Sequence, residues 1–340
     1  MRLHLIRHDG SGLTPLTGEI EHITNLTASP DGRYLLFVAI REDTCPGDGG
    51  VGYFDLSHLY ALDVQSGEIF TLTSGTTTTE WSATWSPDGQ QIAFVSSEVN
   101  VPCSPSPPCY EEGCTPTVTE YHTHLYMMNR DGTGKRKLTP QEGKIEAVTW
   151  SPTGEWIAFE QHSAIWIVKP DGSELRKVVD TPIEYHWRPY TAQPVWSPNG
   201  RRIAFVAPGV GEDRNADIFI VNTDGSGLFN LTRHPAEDFQ PTWLSDGQNI
   251  AFVTTRRGNW AIYITGIDGN NVEEVFYSPS DSAAHPTWSP SDSQVVFTVG
   301  PSSGLWKEYL FVADLTSESS RQLSEMYVND RPAWVLIPLR

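Results

Sequence analysis

One stretch limits what this chain can fold into: Thr84-Trp85-Ser86-Pro87-Asp88-Gly89-Gln90-Gln91-Ile92-Ala93-Phe94-Val95. Ser-Pro-Asp-Gly suits a type I turn closed by a bulge. Proline presets φ, aspartate tolerates the third position and glycine takes the positive φ at the end. The residues after the turn alternate with period two, so Ile92 and Phe94 share one face of a strand and Ala93 and Val95 the other. Large side chains on one face and small ones on the opposite face suit a sheet that stacks on copies of itself.

The copies are present. The same hairpin returns at 29–32, 151–154 and 197–200, in looser form at 244–247 and 289–292, and as a half-copy without the turn at Pro332-Ala333-Trp334-Val335. Trp150, Trp196, Trp243, Trp288 and Trp334 stand 45 to 47 residues apart. A second hairpin alternates with the first. It is clearest at 218–232, where an apolar run, an Asp224-Gly225 turn and a strand ending in Leu231-Thr232 follow one another. Four strands in a period of about 40–50 residues make a propeller blade. The expected fold is all-β, a β-propeller of four-stranded antiparallel blades filling one domain, 1–340.

The units can be counted. Second hairpins, strands C and D of a blade, begin near residues 2, 58, 123, 164, 217, 260 and 308, and inner A strands end near 28, 85, 150, 196, 243, 288 and 334. The count favours seven blades. One of them is composite, with the C-terminal strand inside and the hairpin of residues 2–17 outside. The alternative is six blades with an appended hairpin.

Repeats of the form Trp-Ser-Pro-Asp-Gly-x-x-Ile-Ala-Phe resemble those of the TolB-like β-propeller family, a WD40-like repeat. It is also found in propeller domains of prolyl-oligopeptidase-like enzymes and of some polysaccharide lyases. The resemblance covers nearly the whole chain, and the residues that carry it are structural ones. It implies the propeller, typically with six blades, and leaves the activity open.

Composition narrows the partners. Lys and Arg number 23 against 42 Asp and Glu, a net charge of −19. That balance argues against nucleic acid and anionic membranes and is compatible with basic proteins, cations or neutral sugars. No apolar run is long enough to span a bilayer, and residues 1–9 lack the apolar core of a signal peptide.

Two insertions, 41–57 and 97–121, both fall between strands B and C, on the face that also carries the D–A loops. They hold all four cysteines: Cys45, Cys103, Cys109 and Cys114. Cysteines in Pro/Gly-rich loops read as disulfides. If all are paired, Cys45 bonds to one of the other three and ties the two insertions together. An extracellular or periplasmic location follows. The rival is a zinc site with His122 and His124, against which the cysteine spacings speak.

The D–A loop at 181–190 packs Tyr185, His186, Trp187, Arg188 and Tyr190 into six residues. Trp81, Phe239 and Trp260 are expected in loops of the same face. Aromatic and arginine side chains are enriched at binding hot spots. Gln193, Gln240 and His285, each followed by proline, are expected to line the central channel. There they either bond between blades or, as the resemblance to the lyases implies, hold a metal together with histidines. No Gly-x-Ser-x-Gly elbow and no calcium-loop motif is present.

The leading expectation is a non-catalytic binding propeller. It would present an aromatic, disulfide-braced loop face, with His285 at the channel, to a protein or glycan partner, without a cofactor and as a monomer. The alternative is a metal-dependent, lyase-like enzyme on polysaccharide with its site at the channel mouth.

Overall fold

The computed structural model describes residues 3–7, 9–18, 20, 23–44, 53–75, 78–98, 122–140, 143–181, 192–209, 215–289, 291–301, 308–317 and 319–324. Of residues 41–44, 53–55 and 122 it describes the backbone alone. Among these residues there are six four-stranded antiparallel sheets with strands in chain order, and one two-stranded hairpin. Among the described residues no helix is long and apolar enough to cross a membrane.

Blade one comprises Thr24–Ala28, Tyr34–Thr44, Tyr53–Asp63 and Ile69–Thr71. Blade two comprises Thr78–Trp85, Gln91–Glu98, His122–Asn129 and Arg136–Lys137. Blade three is Ile145–Trp150, Ile157–Gln161, Ala164–Val168 and Arg176–Asp180. Blade four is Val195–Trp196, Arg202–Pro208, Ala216–Asn222 and Phe229–Asn230. Blade five runs through Asp238–Trp243, Asn249–Thr254, Ala261–Gly266 and Glu273–Phe276. Blade six runs through Asp281–Trp288, Gln294–Pro301, Tyr309–Asp314 and Ser319–Gln322.

The repeated serine closes five of the six A–B turns, and in blade five Leu244 stands in its place. Ser86 Oγ accepts the Gln91 N–H at 2.9 Å and donates to Asp88 Oδ1, while Gly89, at φ 66°, donates its N–H to the Ser86 carbonyl. The alternation after the turn does what its pattern predicts. Ile92 and Phe94 pack with Leu36, Val38 and Leu59 of blade one, and Ala93 and Val95 pack with Ile157 and Phe159 of blade three. Each face of a strand therefore belongs to a different seam, and burial between blades supplies the hydrophobic stabilisation.

The ring can be followed seam by seam through its apolar clusters. Seams one–two, two–three, three–four, four–five and five–six each hold one. The hairpin, His4–Leu5 with Thr14–Pro15, fills the remaining place. Its Leu3 and Leu16 pack on Leu35 and Phe37 of blade one, and its Ile6 packs on Val296, Leu310 and Leu323 of blade six. It also obeys the repeat. Thr17 Oγ1 accepts the Leu3 N–H at 3.1 Å, as Thr73 does for Leu59 and Thr139 for Leu125.

A further blade-to-blade contact has the same form. A Cβ added at Gly132 would meet Leu72 O of the preceding blade at 2.9 Å, and one at Gly269 would meet Leu231 O at 2.8 Å. At Gly67 the preceding partner is Leu16 O of the hairpin, and at Gly10 of the hairpin it is Leu323 O of blade six. The hairpin thus occupies the seventh place with a seam on either side. The strand expected at 332–335 lies outside the described residues.

Candidate functional site

The long-loop face is built on one recurring irregularity. Asn25, Ser82, Ala147, Gln193, Gln240 and His285 each stand three residues before the last position of an A strand, Gln193 just ahead of the short strand of blade four, and all have left-handed φ between 46° and 54°. Such a residue bulges the strand and turns its side chain out of the ladder. In four cases that side chain accepts a main-chain N–H of the next blade. Asn25 Oδ1 takes Ala83 at 2.5 Å and Ser82 Oγ takes Val148 at 2.9 Å. Gln193 Oε1 takes Gln240 at 3.1 Å and Gln240 Oε1 takes His285 at 2.7 Å. This inner belt fixes neighbouring A strands to one another.

Charged groups are buried just outside the belt. Glu80, fully buried on blade two, lies 2.9 Å from Nδ1 of the buried His58 on blade one. It also accepts from Thr73 and Ser96, both at 3.1 Å, and Lys135 Nζ stands 3.6 Å away over the Tyr126 ring. Burial works to raise its carboxyl, but the His58 hydrogen bond and the Lys135 charge outweigh it and hold it below the ordinary range.

Blade five repeats the arrangement. Asp238, at the matching position, bonds Arg256 Nη2 at 3.0 Å, and that guanidinium covers Phe252 and Tyr263. Here burial wins, and the Asp238 carboxyl is pushed up despite Arg256.

A third acid breaks the core itself. The position held by buried Val38, Val95, Val206 and Val253 is Glu160 in blade three. Its Oε2 accepts the Ala192 N–H of blade four at 2.7 Å. Burial, with the Glu146 charge beside it, raises its carboxyl against the pull of Ala192 and Lys144. Lys144 is itself paired with Glu146.

The expected site residues fall in several places. Trp81 is not in a loop. It lies in the A strand of blade two and crosses the seam, its Nε1 donating to Ile145 O at 3.3 Å. Phe239 is likewise a strand residue, 2% exposed, with its ring edge-to-face against Trp260 at 5.0 Å, so it has almost no surface to present. Trp260 is half-buried immediately before a C strand. His285 stands on the belt, its Nδ1 3.3 Å from Thr298 Oγ1.

His124 is buried, with Nδ1 donating to Thr139 O at 3.1 Å. Gln193 and Gln240 spend their carbonyl oxygens on the belt. Among the described residues no three His, Cys, Asp or Glu side chains converge as a metal group would. Tyr185, His186, Trp187, Arg188 and Tyr190, with Cys45, Cys103, Cys109 and Cys114, lie outside the described residues.

The family model for the TolB beta propeller domain matches residues 113–336. An uncharacterised protein of Agrobacterium fabrum is 25% identical over 66% of this chain and 82% of its own. The Tol-Pal system protein TolB of Anaeromyxobacter dehalogenans is 30% identical over 35% of this chain, and that match spans only 26% of TolB itself. Among solved structures, oligogalacturonate lyase in complex with manganese superposes with a TM-score of 0.59 at 14% identity, covering 93% of this chain and 96% of the lyase. At that identity the likeness is one of fold alone. The one architecture accommodates a Tol-Pal system component and a lyase.

Proposed function

The chain belongs to the TolB β-propeller domain family, and from that membership we propose that it is a non-catalytic binding propeller which presents its long-loop face to a protein or glycan partner. The observation that carries this reading is the use made of the inner polar side chains. Asn25, Ser82, Gln193 and Gln240 are spent on joining blades. His58 with Glu80 is buried across the seam between blades one and two, and Asp238 is buried against Arg256 of its own blade, where both pairs stiffen a scaffold. The residues left to meet a partner are those of the loops, foremost Tyr185, His186, Trp187, Arg188 and Tyr190. An acidic surface favours a partner with basic or neutral groups.

In this reading Cys45, Cys103, Cys109 and Cys114 form disulfides that brace the insertions. The protein then works as a monomer in an oxidising compartment, periplasmic or extracellular. The test is capture of partners from the native host by the immobilised protein. Tyr185→Ala and Trp187→Ala should each weaken capture at least tenfold, and unchanged capture removes the face assignment. Mass spectrometry without reductant should find no free thiol, and four free thiols remove the disulfides and the compartment together.

A second reading, a metal-dependent enzyme on polysaccharide, draws support from the likeness to the manganese-bound lyase and from His285 on the inner belt. Stoichiometric metal in the purified protein, lost in His285→Ala, would favour it over the first.

A further inference from the structure

We propose that Asn199 is this chain's site of spontaneous covalent modification, its side-chain amide being lost to leave a carboxylate, and that the A–B turn of blade four withholds the reaction until the turn opens. Asn199-Gly200 is the one Asn-Gly step in the sequence. Glycine after asparagine leaves the following backbone nitrogen unobstructed, and asparagine is among the thermolabile residues.

The reaction consumes only water. The Gly200 nitrogen gives up its proton to solvent base and attacks Asn199 Cγ. A bond forms between that nitrogen and Cγ, the bond from Cγ to Nδ2 breaks, and Nδ2 leaves as ammonia. Water then adds to one carbonyl of the five-membered imide and opens the ring. Opening on one side gives aspartate at position 199, and opening on the other gives isoaspartate.

The neighbouring repeats single this position out. Asp31, Asp88 and Asp246 fill the same place in blades one, two and five. Hydrogen bonds from Ser29 and Ser86 hold the Asp31 and Asp88 carboxyls below the ordinary range, so both are ionised at neutral pH. An ionised carboxylate resists a nitrogen nucleophile. The neutral amide of Asn199 has no such protection, and what guards it is geometry.

Gly200 N–H donates to the Ser197 carbonyl at 2.8 Å, which opposes loss of its proton. Asn199 Oδ1 accepts the Ser197 hydroxyl at 2.9 Å and the Arg201 N–H at 3.0 Å, and these bonds pin the carboxamide beside the nitrogen that follows Gly200. Blade three clasps the turn from the side, since a Cβ added at Gly200 would meet Thr153 Cγ2 at 3.1 Å. The bonds to Gly200 N–H and to Asn199 Oδ1 must break before the imide can close, so the rate follows local opening of the turn. The aspartyl product fits the fold. It can accept the same two donors, as Asp88 accepts Ser86 Oγ and Gln90 N–H.

The test holds the intact protein at pH 8 and 37 °C, with and without unfolding guanidinium chloride, and follows each asparagine by peptide mass spectrometry. Asn199 should convert before every other asparagine in the unfolded chain, and more slowly by about tenfold or more in the folded protein. Ser197→Ala removes the hydroxyl and should speed the folded conversion severalfold while leaving the unfolded rate as it was. Asn199→Asp should melt with the unaltered protein. Another asparagine converting ahead of Asn199 in the unfolded chain overturns the site. Equal rates folded and unfolded, or an unchanged folded rate in Ser197→Ala, overturn the part given to the turn.

Discussion

Arg321, on the outer strand of blade six, donates from Nη1 to the main-chain oxygen of Asp9 in the N-terminal hairpin at 2.9 Å, across 312 residues of chain. The bond lies on the surface; the apolar contacts beneath it do the closing. Leu3 is 8% exposed against blade one, and Leu323 is 8% exposed beside Ile6. Arg321→Ala should therefore cost at most about 1 kcal/mol, the scale of one exposed hydrogen bond. Leu3→Ala should cost about 2–4 kcal/mol through loss of buried area and the cavity left. Urea denaturation of the two variants checks the order; equal effects would mean that the hairpin is not packed as a blade.

The belt makes a prediction about a residue with no catalytic part in the proposed function. Gln240→Ala removes the side-chain acceptor that His285 N–H uses across the seam at a half-buried site. The expected loss is about 1–3 kcal/mol. Gln240→Glu, which keeps an acceptor in place, should lose less at neutral pH. Thermal melts of both variants decide, and an unaffected Gln240→Ala would remove the belt as a source of stability.

Much of this fold was legible in the sequence because a propeller repeats its turn chemistry. Ser86, Asp88 and Gly89 each have a local task, and the alternation after them assigns both faces of a strand. The unusual side chains were harder to place because the bulge resets the alternation. Trp81 and Phe239 stand immediately before Ser82 and Gln240, whose left-handed φ interrupts the period of two, so they read as loop residues although they are strand residues. Glu80, Asp238 and Glu160 were passed over. The signal was available: aligned on the tryptophans, Glu80 and Asp238 stand where blade three has Ile145, and Glu160 stands where four blades have valine. A charged residue at a repeat's core position is visible only after the repeat has been aligned.

The seam between blades one and two should be sensitive to its buried pair. His58→Leu would leave the Glu80 carboxylate buried with Lys135 as its remaining charge partner, at an expected cost of about 3–5 kcal/mol. The double variant His58→Leu with Glu80→Leu removes the stranded charge and should recover a large part of that loss. A double-mutant cycle by urea denaturation measures the coupling, and strictly additive losses would mean that the two groups do not act as a pair.

The buried acids set opposite pH dependences. Glu80 is held below the ordinary carboxylate range, so its contribution is present above the unfolded value and lost as pH falls through the folded one. Glu160 and Asp238 are raised, so folding favours their protonated forms. Their contribution is present below the unfolded value, near pH 4, and is lost as pH rises through the folded one. Glu160→Gln keeps an acceptor for Ala192 N–H and removes the ionisation. Relative to the unaltered protein it should gain stability as pH rises from about 4 to 7 and match it most closely at the acid end. The comparison is a series of urea midpoints at pH 4, 5, 6 and 7. A difference between the two proteins that stays constant over that range would show that Glu160 does not titrate between the folded and unfolded states.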